Sequence, residues 1–173
     1  LEHPKTELKG LDIGGIDSYD QDEASTSSMG SAIIFRRFYS MDIAGNYPIA
    51  EYTERPDTAE EFWDGCLKLA VYYNAKMLIE FTRIGIIGYF QRAGAKNYLK
   101  ERPATAHSPK TVNRNRYGIQ MNKHTKAVME QFIENYIEEN CGDIWFIDLL
   151  DELGAYGIRN TDRAIAFGLC LIH

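Results

Sequence analysis

The sequence predicts an α/β domain on a mixed sheet, and three observations predict it. The first 55 residues carry three short β-type runs joined by brief polar connections, the pattern of an antiparallel meander. A helix-period segment then leads to the compact apolar run "KMLI", which suits a buried strand parallel to a neighbour. Further helix-period stretches occupy the rest of the chain around residues 129–137 and 160–172.

Taken in order, residues 11–17, "LDIGGID", form the first predicted strand, with glycines that permit close backbone packing. The polar, glycine-ended stretch 18–30 is a loop, and "SAIIFRRFY" (31–39) is the second strand, rich in β-branched and aromatic residues. The turn-prone "DIAGN" leads to a third strand, "YPIAEYT" (47–53). In "RPDTAEEFWDGCLKLAVYYN", Thr58 and Glu61 make a capping box, and Phe62, Cys66, Leu69, Ala70 and Tyr73 recur at helical spacing over about four turns. This crossover makes "AKMLIEF" (75–81) a parallel strand, and "IGIIGYFQRAG" starts a second helix. Residues 101–118, with two prolines and no usable period, form a long basic loop or hairpin. Met129, Phe132, Ile133, Tyr136 and Ile137 make the stripe of a helix ended near "NCG" by a glycine. "DIWFIDLLDEL" is apolar and fits either helix or strand. "NTDRAIAFGLCLI" is a helix with Asn160 or Thr161 at its cap and Asp162 in its first turn. The chain contains no internal repeat.

At 173 residues and 45% hydrophobic, the chain can bury about two-thirds of its unfolded surface, enough for one core. The polar opening, residues 1–9, reads as a linker or a vector-derived remnant, and residues 10–173 as the domain, cut from a longer protein. No apolar run approaches the roughly 20 residues of a membrane span, so a soluble cytoplasmic protein is expected. Cys66, Cys141 and Cys170 are dispersed, and without a metal-ligand spacing they read as small buried hydrophobes. There is no GxxxxGK[ST] loop, and "GLDIGG" is not a dinucleotide fingerprint, so any nucleotide motor lies outside this chain. Charge is segregated. Residues 91–126 hold nine of the 19 Lys/Arg but one of the 25 Asp/Glu, a local +8 against -14 in the remainder. Such a segment suits a phosphate-binding face on an acidic body, with a solvated basic loop as the plainer alternative.

Three carboxylates stand at element ends: Asp17 closing the first strand, Glu80 closing "KMLI", and Asp162 opening the last helix. Strand ends line the functional crevice of open α/β sheets, so acids from distant parts of the chain can converge there. Converging carboxylates repel, and a hard divalent cation resolves the repulsion. Two Mg2+ or Mn2+ ions roughly 4 Å apart would suit phosphodiester hydrolysis. Asp17 would bridge them, Glu80 and Asp162 would hold one each, and Asp20 or Asp22 would support from behind. Plainer readings stand beside this. Asp162 offsets a helix dipole, Glu80 reaches water at a strand end, and Asp20 and Asp22 are ordinary loop acids.

The segments "GGIDSYDQD" with "GSAIIF", "MLIEFTRIG", "YGIQMNKHTKAVMEQFIENYI" and "NTDRAIAFGL" resemble the nuclease domain of the large terminase subunit of tailed bacteriophages, a member of the ribonuclease H-like superfamily. The resemblance runs from about residue 10 through nearly all of the chain, and "GSAIIF" and "IEFTRIG" are similar to terminases of phages infecting gut Bacteroidetes. It implies a ribonuclease H-like α/β fold, a central mixed β-sheet of three antiparallel strands plus parallel strands flanked by α-helices. Its three metal-binding acids fall on Asp17, Glu80 and Asp162, the same three that position selects. It further implies dependence on Mg2+ or Mn2+ and cleavage of concatemeric double-stranded viral DNA in the host cytoplasm. The implied partners are a portal protein, a small terminase subunit and an upstream ATPase domain of the same polypeptide.

Two departures bear on the auxiliary ligands. Where relatives carry an acid before the second strand this chain has Met29-Gly30, and Thr161 replaces the first member of a frequent Asp-Asp pair. Lys110, Arg114, Arg116, Lys123 and Lys126 are the candidate DNA contacts, with a solvated helix start as the alternative for the last two. A Holliday-junction resolvase or integrase-like nuclease on the same fold, and a catalytically silent portal-docking module, remain open beside the terminase nuclease reading.

Overall fold

The computed structural model describes residues 10–19, 29–37, 44–80, 84–103, 117–158 and 161–173. Its sheet contains β1 (Asp12–Asp17), β2 (Gly30–Arg36), β3 (Tyr47–Glu54) and β4 (Lys76–Ile79), in the order β3-β2-β1-β4. The first three strands form the expected antiparallel meander, and β4 lies parallel to β1. That parallel pairing follows from the crossover through α1 (Ala59–Tyr72), whose Thr58/Glu61 capping box forms as the sequence predicts. Beyond β4 the sheet continues as isolated parallel bridges, Met77 with Leu99 and Glu80 with Ile119.

Both faces of the sheet are covered. One carries α1 and α2 (Ile84–Arg92), with Ile16, Ile34, Met77 and Ile79 meeting Phe62, Cys66 and Phe90. The other carries α3 (Lys123–Asn140), α4 (Ile147–Gly154) and α5 (Asp162–Ile172), with Ile13, Ile33, Phe35 and Leu78 meeting Met129, Ile133, Leu149 and Phe167. Strand alternation sorts these residues, since odd-numbered positions of β1 face α5 and even-numbered ones face α1.

The long helix α5 lies on β1 at its closest point through Gly15. A Cβ there would collide with the Ala166 carbonyl and come within 2.8 Å of Leu169 Cβ and 2.9 Å of Cys170 N. Apolar burial, worth about 2 kcal/mol for each fully buried large side chain, holds the helix down. The missing side chain at Gly15 sets how near it comes.

Two local expectations are corrected and one open reading is resolved. Gly142 is absent from the positive-φ glycines, and α3 tightens into a 3-10 turn over Cys141–Asp143 instead of ending on a left-handed glycine. Cys141 is exposed, whereas Cys66 and Cys170 are buried as read. The segment "DIWFIDLLDEL" resolves as helix, because Leu149 and Leu153 recur on the side turned to the core. Among the described residues no helix is long and apolar enough to cross a membrane.

Gly15→Val is expected to destabilise the domain by about 3 kcal/mol or more, because the obstructing atoms are helix backbone and cannot rotate away. Urea unfolding should register this as a lower midpoint at unchanged slope.

Candidate active site

The β1–β4 register aligns Ile16 with Ile79, so the next positions, Asp17 and Glu80, are neighbours on adjacent parallel strands. Alternation turns both toward α5, on the same face as Gly15 and Leu78. Asp17 also pairs with Ser31, and Ser31 with Thr53, whose hydroxyls are 2.8 Å apart. A polar row, Glu80-Asp17-Ser31-Thr53, therefore crosses one end of an otherwise apolar face. Ser31 is fully buried, which makes its hydroxyl partner obligatory. The row was hidden in the sequence because Ser31 and Thr53 acquire meaning only through strand pairing.

Because α5 runs antiparallel to β1, its first residue comes to this same end. Asp162 is 5% exposed, and its Oδ2 accepts the Met29 N–H at 2.9 Å, tying the helix start to the entry of β2. Met29 thus contributes a backbone donor. Thr161 stands at the N-cap but makes no side-chain capping bond. That task falls to Glu152 of α4, whose Oε2 accepts from Arg163 N at 2.8 Å and Ala164 N at 3.3 Å. A carboxylate at the positive end of a helix is favourable both as hydrogen-bond acceptor and as charge.

Arg163 completes the clamp. Its guanidinium reaches Glu152 at 2.7 Å, Glu51 of β3 at 2.6 Å and Asp148 at 3.3 Å. Burial alone would lower its pKa, but the hydrogen bonds and charges of Glu152 and Glu51 outweigh that and raise it. Sequence reading missed this network, whose only signal was an Arg directly after the candidate Asp.

The basic candidates divide. Ile119 pairs in parallel with Glu80, so the chain leaves the sheet at the carboxylate end and enters α3 four residues later at Lys123. Lys126 lies 3.9 Å from Glu130 and 5.8 Å from the centre of the Tyr156 ring. Both lysines occupy the first turn of α3, where their own helix dipole disfavours positive charge. Arg102 buries Nε and Nη2 without hydrogen-bond partners among the described residues, a costly arrangement that an anion would relieve. An antiparallel bridge joins Glu101 to Tyr117; residues 104–116, on which the loop or hairpin reading falls, lie outside the described residues. Asp20, Asp22, Lys110, Arg114 and Arg116 lie outside the described residues.

Asp17, Glu80 and Asp162 are all hard oxygen donors of the kind Mg2+ or Mn2+ prefers. Their chemistry fits such an ion. Among the described residues, however, no three His, Cys, Asp or Glu side chains are gathered closely enough to hold a metal ion.

No protein-family model and no curated protein matches the sequence. Among solved structures, the chain is similar to the human cytomegalovirus terminase nuclease domain, solved after a manganese soak and with an inhibitor bound. The TM-score is 0.52 at 13% identity, over 96% of this chain and 84% of that one. The fold is therefore an α/β arrangement, a mixed sheet flanked by helices, similar to that of a viral terminase nuclease domain.

Glu152→Ala should cost about 3 kcal/mol, since it uncaps α5 and strips a nearly buried guanidinium of its principal partner. Glu152→Gln, which keeps the acceptor, should cost about 1 kcal/mol. Hydrogen exchange at the Arg163 and Ala164 amides would distinguish the two, accelerating far more in the alanine variant.

Proposed function

We propose that this domain is a divalent-metal-dependent endonuclease that hydrolyses phosphodiester bonds of double-stranded DNA during viral DNA packaging. The observation that carries the reading is the register itself: Asp17 and Glu80 side by side at one sheet end, with Asp162 brought to that end by α5. The likeness to a terminase nuclease fold supports it.

In this reading Asp17, Glu80 and Asp162 hold Mg2+ or Mn2+, and Asp20 and Asp22 assist. The ions, when bound, would polarise the phosphoryl group and favour ionisation of the attacking water. The protein's own part is positional. Asp17 and Glu80 extend from rigid strands, and the Arg163 clamp fixes the helix that presents Asp162. Lys123, Lys126, Lys110, Arg114 and Arg116 take the phosphate backbone without reading bases, so little sequence preference is expected. Residues 10–173 form the nuclease unit, working with an ATPase domain of the same polypeptide, a portal protein and a small terminase subunit. In this reading the work is done in the cytoplasm of a bacterial host, as the resemblance to phage terminases implies.

Asp17→Asn, Glu80→Ala and Asp162→Asn should each lower plasmid nicking in manganese by at least about 100-fold, the loss of several kcal/mol of transition-state stabilisation. Manganese heats in calorimetry should fall with them, while the unfolding midpoint of Asp17→Asn stays near the parent's. Cleavage at the parent rate by Asp17→Asn/Glu80→Ala would refute the assignment. Among the described residues no three-donor group is gathered, and a catalytically silent portal-docking module stands as the second reading. A parent protein that neither binds manganese nor cuts DNA would establish that reading. Faster cutting of four-way junctions than of linear duplex would point to a resolvase.

A further inference from the structure

Residues 127–158 contain eight Asp/Glu and no Lys or Arg. Some of these acids have structural partners: Glu152 and Asp148 hold Arg163, and Glu130 lies near Lys126. Others sit where their own helix disfavours them. Glu138 and Glu139 are exposed in the last turn of α3, which has no basic residue, and exposed Asp143 follows in the 3-10 turn. Negative charge at a helix C-terminus opposes the macrodipole, so these acids detract from the stability of the helix that carries them.

Beside them lies apolar surface without a cover. Trp145 and Ile147 are 75% and 74% exposed, and Leu150 is 38% exposed. Ile147 and Leu150 fall on the outer stripe of α4, while Leu149 and Leu153 face the core. Trp145 is pre-set by stacking on Tyr47, with ring centres 5.8 Å apart at 17°. Tyr47 is in turn joined to the end of α3, because Asn46 donates to Asn140 at 3.1 Å and its carbonyl accepts from Tyr136 at 2.7 Å. The ordered aromatic platform and the acids at the end of α3 thus form one neighbourhood. It lies at the Arg36 end of β3, opposite the end where Thr53 meets Ser31 in the carboxylate row.

We propose that this face docks a basic polypeptide segment of a partner protein. The segment seats an aliphatic or aromatic side chain on Trp145, Ile147 and Leu150 and sets Lys or Arg against Glu138, Glu139 and Asp143. The charge selects the occupant. Phosphate of a nucleic acid is repelled by the acids, and so is the same face of a second copy in a two-fold pairing. A rigid aromatic at the centre with charges around it is the usual form of a tight contact centre and its steering rim.

The protein's two tryptophans make the test direct, because buried Trp63 is an internal control for exposed Trp145. A short amphipathic Leu/Lys peptide is titrated into 15N-labelled protein, and a Leu/Gln peptide of equal length serves as comparison. The expected result is a saturable shift of the Trp145 indole signal alone, with affinity about tenfold weaker for the Leu/Gln peptide. Ile147→Ser and the triple variant Glu138→Lys/Glu139→Lys/Asp143→Lys should each weaken Leu/Lys binding by about tenfold as well, with nuclease activity unchanged and an unfolding midpoint unchanged in the first and raised in the second. Equal binding of both peptides, or none, overturns the proposal. So does a Trp145 shift caused by duplex DNA, or self-association that Ile147→Ser abolishes, since the occupant would then be DNA or a second copy. The readout is independent of cleavage, so this surface and the nuclease reading fail separately.

Discussion

The placement of one helix start governs the candidate site, and a nearly buried guanidinium governs that placement. Arg163 joins β3 through Glu51 and α4 through Glu152 and Asp148, while the Glu152 carboxylate caps the amides of the helix that carries Arg163. A buried charge left unpaired costs several kcal/mol, so alternative positions of α5 that break these contacts are strongly disfavoured. Hydrophobic burial attaches α5 to the sheet but is indifferent to a small slide along it. The directional contacts at its first turn remove that freedom, and Asp162 is thereby held at the end of β1 and β4.

The other requirement is steric. Gly15 lets the backbone of α5 approach β1, two positions before Asp17. Glycine in a strand sacrifices packing and backbone entropy, and here the return is a helix close enough for its first residue to reach the entry of β2. Apolar approach, glycine contact and charge clamp act on different degrees of freedom: depth, distance and register.

Charge organises the surface in a second way. The basic stretch enters α3 at the carboxylate end through Lys123 and Lys126, and the acidic stretch accumulates toward the other end of that same helix. Both arrangements run against the dipole of α3. The two ends of α3 therefore carry opposite charge, each in the sense its own dipole disfavours.

The strand runs, the Thr58/Glu61 box, the parallel crossover and the three element-end acids were legible from residue patterns alone, because local propensity, short-range capping and period-2 or period-3.6 spacing are properties of neighbours along the chain. Gly142 misled, since a glycine after a helix permits a left-handed cap without requiring one. Thr161 stands at the N-cap as its residue type suggests, but its side chain does not cap, because a better acceptor, Glu152, is supplied by the fold. By itself the sequence determined the kinds of element, their order and which acids stand at their ends. The tertiary structure alone decided that Asp17 and Glu80 share a register, that Ser31 and Thr53 extend their row, and that Arg163 ties three elements together. Those are contacts between residues far apart in sequence, set by strand pairing and burial, and no local pattern encodes them.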